Sequence, residues 1–202
     1  MRSNSSTTFR TPPPARSARR ICATGLRITS LPDAGVRPAC PADAQAIAAI
    51  YAWHVANGTA TFDTVAPDEA TWAAKIADFA TRGFPFLVAE REGDVVAYAY
   101  AARFRDRAAY AHTCEDSIYV TRDARGGGIG TALLLALIAA ARASGFQQMI
   151  AVIGGGEPAS VALHGKCGFA HAGRMRNVGF KFGRLLDTVY MQRDLREEDP
   201  SP

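Results

Sequence analysis

The sequence predicts an α/β (α+β) fold, a mixed central β-sheet flanked by helices, and three observations carry that prediction. Strand-like runs follow one another directly in two places, near residues 86–120 and 170–194. A single strand–helix–strand unit separates them and implies one parallel pair in an otherwise antiparallel sheet. The chain is 202 residues long, 48% hydrophobic and 21% charged, which suits one domain with a real core and excludes collagen-like, coiled-coil and disordered classes. No internal repeat or second domain is visible.

Each element has its own signal. Val36–Ala39 reads as a short first strand. Pro41 opens a helix whose apolar positions Ile47, Ile50, Tyr51 and Val55 keep helical spacing until Asn57-Gly58 ends it. A second helix runs from about Pro67 to Arg82, with Trp72, Ile76 and Phe79 on one face and Gly83 as its stop. Phe86–Arg91 and Val95–Ala102 are strands joined through Glu92-Gly93-Asp94, a hairpin signal. Thr113–Val120 is a further strand. Thr131–Ser144 carries the clearest helical stripe, Leu134, Leu137, Ile138 and Ala141, closed by Gly145. Gln148–Ile153 is a strand, Pro158–Lys166 a short helix, and Ala170–Met175 and Thr188–Asp194 are the final strands.

The formal net charge of +4 looks like a cue for a polyanionic partner until the charge is located. Six arginines (Arg2, Arg10, Arg16, Arg19, Arg20 and Arg27) precede the first acid, and without them 17 basic residues face 19 acidic ones. The basic character therefore belongs to residues 1–33, a Ser-, Arg- and Pro-rich stretch expected to be a disordered extension. It shares the Arg- and Ser-rich, acid-poor composition of a transit peptide, but Pro12-Pro13-Pro14 breaks the helix such a peptide needs. An extension without function, or a misassigned start, is the preferred reading. Residues 34–196 form the expected domain and 197–202 a short tail. No apolar run is long enough to span a membrane. Cys22, Cys40, Cys114 and Cys167 are scattered, with no C-x-x-C pair and no clustering with histidine, so no metal is expected. Reduced thiols in the cytoplasm are the plain expectation.

One motif stands out. Arg125-Gly126-Gly127-Gly128-Ile129-Gly130 lies between the 113–120 strand and the following helix. Such glycines let a backbone turn tightly and let a ligand come close, and the uncapped N–H groups of the helix start attract an anion. A Walker loop would need Lys and Ser/Thr after the last glycine, whereas Thr131-Ala132 follow here. The dinucleotide fingerprint also fails, because its third glycine would fall on Thr131. A flexible turn without a ligand is the plain alternative.

The Arg125–Gly130 stretch resembles the Q/R-x-x-G-x-G/A acetyl-CoA motif of the GCN5-related N-acetyltransferases (GNAT). Four further segments, 104–110 (FRDRAAY), 113–120 (TCEDSIYV), 160–164 (SVALH) and 181–184 (KFGR), resemble phosphinothricin-type acetyltransferases in the same order. The resemblance spans about residues 35–195. It implies the GNAT fold, acetyl-CoA as co-substrate, a small amino acid as acceptor and a homodimer. It also implies that Ser117, Ile118, Val120, Arg125 to Gly130, Thr131, Glu157 and Ser160 hold the coenzyme.

Acetyl transfer to an amine needs an anchored thioester, a neutral amine, a stabilised oxyanion and a proton for the leaving thiolate. An amino acid's ammonium group cannot attack, so a base is required. Period-two alternation puts Glu115, Ser117 and Tyr119 on one face of their strand and Cys114, Ile118 and Val120 on the other. Glu115 is the candidate base, beside the Tyr119 phenol, and it matches the glutamate that the family is proposed to use. The resemblance assigns oxyanion stabilisation to backbone N–H groups around Ile118 to Val120. His164 stands where many relatives carry a tyrosine, and it is the candidate acid, a structural histidine being the equal alternative. Phe104, Arg105, Arg107, Tyr110 and Thr113 are the candidate acceptor-binding set, suited to a carboxylate and a phosphinate- or sulfone-like group. Lys181-Phe182-Gly183 is expected to close the pocket from its far end, from this chain or from a partner subunit. Relatives usually carry asparagine where this chain has Glu157, after Gly154-Gly155-Gly156. An ionised carboxylate there cannot donate the amide hydrogen bond.

Three other readings stay open from sequence. One is acetylation of a peptide N-terminus or polyamine. Another is a non-catalytic acetyl-CoA-binding module. Last comes nucleic-acid binding through the arginine tail, which dispersed charges would make weak and salt-sensitive.

Overall fold

A computed structural model describes residues 29–31 and 34–196. Eight strands form a single sheet: β1 (Thr29–Leu31), β2 (Ala34–Pro38), β3 (Phe86–Arg91), β4 (Asp94–Arg103), β5 (Thr113–Val120), β6 (Gln148–Gly154), β7 (Ala170–Lys181) and β8 (Arg184–Asp194). Their spatial order is β1-β2-β3-β4-β5-β6-β8-β7, and only β5 and β6 run parallel. The helices are α1 (Ala44–Asn57), α2 (Glu69–Arg82), α3 (Ile129–Ala143) and α4 (Pro158–Lys166). The expected mixed sheet with flanking helices is what forms, with α3 as the crossover between its parallel pair.

Two cores follow from strand alternation. Val36, Leu87, Ala89, Ala97, Ala99, Ala101 and Cys114 point to one face and pack under Leu133, Leu134, Leu137, Ile138 and Ala141 of α3. Alanines on the strands let α3 lie close to the sheet. The opposite residues Phe86, Val88 and Tyr98 meet Ile47, Ile50, Tyr51, Trp72, Ile76 and Phe79 of α1 and α2. Fully burying a leucine such as Leu134 contributes roughly 1.5–3 kcal/mol. The ends of α2 follow local rules: the Asp68 carboxylate accepts the Thr71 N–H at 2.8 Å, and Gly83 closes the helix at φ 67°. Arg37 bridges Asp43 (2.8 Å) at the foot of α1 and Glu90 (2.6 Å) on β3.

The structure departs from the sequence reading at three places. Thr29–Leu31 pairs with β2, inside the stretch expected to be disordered; residues 1–28 lie outside the described ones. The last hairpin is longer than expected on both strands, and it turns at Phe182-Gly183 with φ of 52° and 72°. Its β7 strand is exposed along nearly all its length, so it lacks the apolar alternation that marks a half-buried strand. Cys114 and Cys167 are buried thiols, but Cys40 is disulfide-bonded, against the expectation of reduced thiols throughout. Among the described residues no helix is long and apolar enough to cross a membrane.

Candidate active site

The site begins where the sheet comes apart. β5 and β6 pair only from Thr113↔Gln148 to Asp116↔Ala151, although β5 stays paired with β4 to Val120 and β6 with β8 to Gly154. Ser117–Val120 and Val152–Gly154 therefore diverge. Alternate backbone groups of both strands face the opening with no strand between them. A cavity of about 230 Å³ fills the apex, walled by Glu115 to Tyr119, Ala151 to Gly154, Ala60 to Phe62, Ser160, His164 and Thr188.

On the α3 side the glycine turn runs exposed between two buried anchors, Ala124 and Ile129. Gly126 and Gly128 have φ of 81°, and a Cβ on Gly126, Gly127 or Gly128 would meet no atom within 4 Å. Gly128 caps α3 without a side-chain bond, so the first N–H groups of the helix face outward uncapped. Arg125 lies over the Trp53 ring at 5.2 Å. An open backbone cradle at a helix start beside a split sheet fits a pyrophosphate-bearing acyl coenzyme. Gly130 packs ordinarily on Leu163 and Val120, and Thr131 follows within the first turn of α3.

On the α1/α2 side Glu115 is half-buried at the cavity wall. Burial, together with the neighbouring Asp116 charge, raises its pKa above the usual carboxylate range, against the opposing pull of Arg105. Tyr119 sits four residues on, stacked on Tyr98 at 5.4 Å, and burial holds its phenol well above 10. His54 from α1 packs edge-on against Tyr119 at 5.1 Å, and its Nε2–H donates to the Val120 carbonyl at 3.1 Å.

The third wall is the loop after α1. Tyr51 Oη lies 2.8 Å from Thr61 Oγ1 and donates to Asp63 at 2.6 Å. Lys181 is buried and donates to the carbonyls of Gly58 (2.9 Å) and Thr61 (2.8 Å). It thus pins this loop from within the same chain, at the end of β7. A Cβ on Gly179 would lie 2.3 Å from the Phe62 ring, and one on Gly155 2.5 Å from Thr59 Oγ1. These glycines exist so that the loop can close down on the sheet.

Opposite Glu115, on the α4 side, Asp116 faces His164. The two side chains are each 2% exposed, with His164 Nε2 3.0 Å from Asp116 Oδ2. His164 Nδ1 lies 2.7 Å from the Ser160 carbonyl and 3.3 Å from Ser160 Oγ.

The split thus gathers Glu115, Ser117, Ile118, Tyr119, Ser160 and His164 from the sequence-predicted set, with Val120 just beyond the cavity and Thr113 where the β5–β6 pairing starts. It does not gather all of them. Arg105, Arg107 and Tyr110 are exposed and outside the cavity lining; Arg105 stacks on Phe104 at 4.3 Å, and Phe104 meets Tyr110 edge-on at 5.9 Å. Glu157 is half-buried at the start of α4, outside the lining, and its carbonyl accepts the Val161 N–H at 3.0 Å. Sequence reasoning missed Asp116, Thr61 and Phe62. The first carries a signal, a charged residue on the strand face that otherwise enters the core; the loop residues carry none.

The model of the acetyltransferase (GNAT) family matches residues 47–169. The chain is 50% identical over 158 residues to a phosphinothricin N-acetyltransferase of Alcaligenes faecalis, covering 78% of this chain and 80% of that one. It is 41% identical to an L-methionine sulfoximine/L-methionine sulfone acetyltransferase of Pseudomonas aeruginosa, covering 84% and 99%. Among solved structures, a phosphinothricin acetyltransferase from Sinorhizobium meliloti in complex with acetyl-CoA superimposes with a TM-score of 0.78 at 48% identity, covering 80% of this chain and 88% of that one.

Proposed function

Because the chain belongs to the GNAT acetyltransferase family and is an acetyl-CoA-dependent N-acetyltransferase, we propose that its acceptor is the amino group of a small amino acid such as phosphinothricin, methionine sulfoximine or methionine sulfone. The observation that carries this reading is the small cavity itself, with Glu115 on its wall and a pinned loop across it. A cavity of about 230 Å³ suits a free amino acid better than a peptide.

In this reading Glu115 takes the proton that keeps the acceptor amine from attacking, directly or through a water, and its raised pKa makes it a stronger base than a solvated carboxylate. Backbone N–H groups of Ile118 to Val120 stabilise the negative charge that develops on the acetyl oxygen. Tyr119 shapes the acceptor side, and Arg105, whose charge reaches Glu115, steers the carboxylate of the incoming amino acid. Phe104 supports Arg105, while Arg107, Tyr110 and Thr113 form the outer rim. The coenzyme supplies the acetyl group as a thioester. Ser117, Ile118 and Val120 line its path, Arg125 to Thr131 hold its phosphates, and Ser160 and Glu157 flank its arm. His164 is the proton donor on that side. No cysteine lines the cavity, which favours direct transfer over a covalent acetyl-enzyme.

The domain proper is residues 34–196 in this proposal, extended by the strand Thr29–Leu31. The same proposal includes a homodimer. Its support is an exposed apolar set on the last hairpin, Met175, Val178, Phe180, Phe182 and Leu185, beside an uncovered edge strand. It also includes a cytoplasmic workplace, consistent with the buried thiols Cys114 and Cys167; the disulfide at Cys40 runs against it.

The experiment is an acceptor panel read by release of coenzyme thiol. Amino acids of the sulfoximine, sulfone and phosphinate type should be acetylated, and Glu115→Gln should lose about 10²–10⁴-fold in kcat/KM. Turnover only on peptide N-termini or polyamines would refute the acceptor class. Full activity in Glu115→Gln would remove Glu115 from its role.

A further inference from the structure

The lip of the cavity across the split from Glu115 carries one polar side chain. There β6 contributes Ala151, Val152, Ile153 and Gly154, and β8 contributes Thr188. Thr188 pairs with Gly154, which has no side chain to cover it. The Phe62 ring comes down on Gly154 from the loop, where an added Cβ would lie 3.1 Å from it. Thr188 is only 4% exposed, yet its hydroxyl has no hydrogen-bond partner among the described residues. Three described side-chain atoms are both sealed from solvent and unpartnered: Trp72 Nε1, Tyr98 Oη and Asp116 Oδ1. Thr188 Oγ1 is not one of them, so it opens on the cavity that its residue lines. The nearest loop hydroxyl is committed elsewhere. Tyr51 Oη gives its proton to Asp63 at 2.6 Å, so Thr61 Oγ1 donates to Tyr51 Oη at 2.8 Å.

Strand register relates this hydroxyl to Glu115. Glu115 pairs with Ile150 of β6, and Thr188 pairs with Gly154, four residues further along the same strand. Paired residues share a sheet face, and residues an even number apart on one strand do too, so Glu115 and Thr188 stand on one face. The offset between them is roughly 13 Å along the strands. Both line the same cavity of about 230 Å³. A ligand that fills this cavity from Glu115 ends against Thr188.

We propose that Thr188 sets specificity for the acceptor's side chain, its hydroxyl donating to an oxygen carried at that end of the molecule. The inference rests on the amino-acid acceptor reading and deepens it by naming the group that is recognised. A sulfone, sulfoximine or phosphinate presents such an oxygen; a thioether or an alkyl chain does not. The wall beside Thr188 is otherwise apolar, so the aliphatic stem of the acceptor rests on Val152 and Phe62 while one hydroxyl reads its end. Discrimination works through the unmet group. An acceptor without the oxygen leaves a desolvated hydroxyl unpaired, which weakens that complex. Thr188 moves no proton; it holds the far end of the acceptor.

Methionine sulfone and methionine differ only in the two oxygens on sulfur, so together they isolate the contact. The unsubstituted protein should favour the sulfone about tenfold in kcat/KM. Thr188→Val keeps the shape and removes the hydroxyl. It should lower kcat/KM for the sulfone about three- to tenfold, mainly through KM, and leave methionine and the acetyl-CoA KM unmoved. Thr188→Ser should keep the sulfone preference. An equal loss on both acceptors, or a preference unchanged in Thr188→Val, overturns the proposal. An unsubstituted protein without the preference overturns it even if Thr188→Val does not fold. If neither amine is acetylated, the acceptor reading fails, and calorimetry of methionine sulfone against the protein loaded with coenzyme A decides Thr188 separately. Weaker binding to Thr188→Val than to the unsubstituted protein supports the contact; equal binding, or none, overturns it.

Discussion

Two glycine-rich stretches flank the same cleft and behave in opposite ways. At Gly126-Gly127-Gly128 an added Cβ would meet nothing within 4 Å, and the backbone lies open at the start of α3. At Gly154 and Gly155 a Cβ would lie 2.7 Å from the Thr59 carbonyl and 2.5 Å from Thr59 Oγ1. The first stretch keeps room for something that is not protein. The second gives its room to the chain's own loop, which walls the cavity. Composition is the same in both; what differs is whether the space beside the backbone is already filled.

Gly155→Ala should break the contrast most strongly. The residue holds φ at 65° and abuts Thr59, so left-handed strain of about 1–2 kcal/mol and overpacking of about 1–3 kcal/mol act together. Thermal denaturation should show a drop of roughly 5–15 °C. The acceptor KM should rise while the acetyl-CoA KM changes little, because the displaced loop belongs to the acceptor wall.

Gly127→Ala sharpens the comparison from the other side. Gly127 has no positive φ and open space around it, so stability should stay within about 0.5 kcal/mol. Acetyl-CoA affinity, measured by calorimetry, should still fall severalfold, because only a ligand occupies that space. An unchanged affinity would count against the turn as the coenzyme cradle.

The smallest effect expected is on stability, at Glu115. Its folded pKa is raised by burial, so the stability it contributes is full below the unfolded value near 4.5 and is lost as pH rises through the folded one. Glu115→Gln removes that loss. Melting curves at pH 5 and pH 8 should show the variant gaining on the unsubstituted protein at the higher pH, although it is inactive there. A variant that instead loses ground at pH 8 would mean that the carboxylate is stabilised in its ionised form, not strained.

Much of this was legible in the residues. The stripe Leu134, Leu137, Ile138 and Ala141 of α3 and the period-two split of β5 came from spacing, and the glycine turn announced itself by composition. Where spacing carries no signal, the reading stopped short. The exposed strand β7 lacks apolar alternation, so its length was underestimated. Thr61 and Phe62 sit in a loop, where side-chain direction follows from distant contacts with Tyr51, Lys181 and Gly179. Arg107 and Tyr110 enter the acceptor set through the family resemblance, and the turn that carries them leaves them exposed, outside the cavity lining, a position that polarity and closeness in sequence do not specify.

By itself, then, the sequence determined the sheet class, the order of elements from β2 onward, the glycine turn and the face on which Glu115 stands, because each is set by interactions among residues close along the chain. Only the tertiary structure decided that β5 and β6 part after Asp116, that Lys181 reaches back to the loop after α1, and that Asp116 meets His164 across 48 positions. Those contacts depend on how two separately formed layers pack against the sheet, and no local pattern encodes that distance.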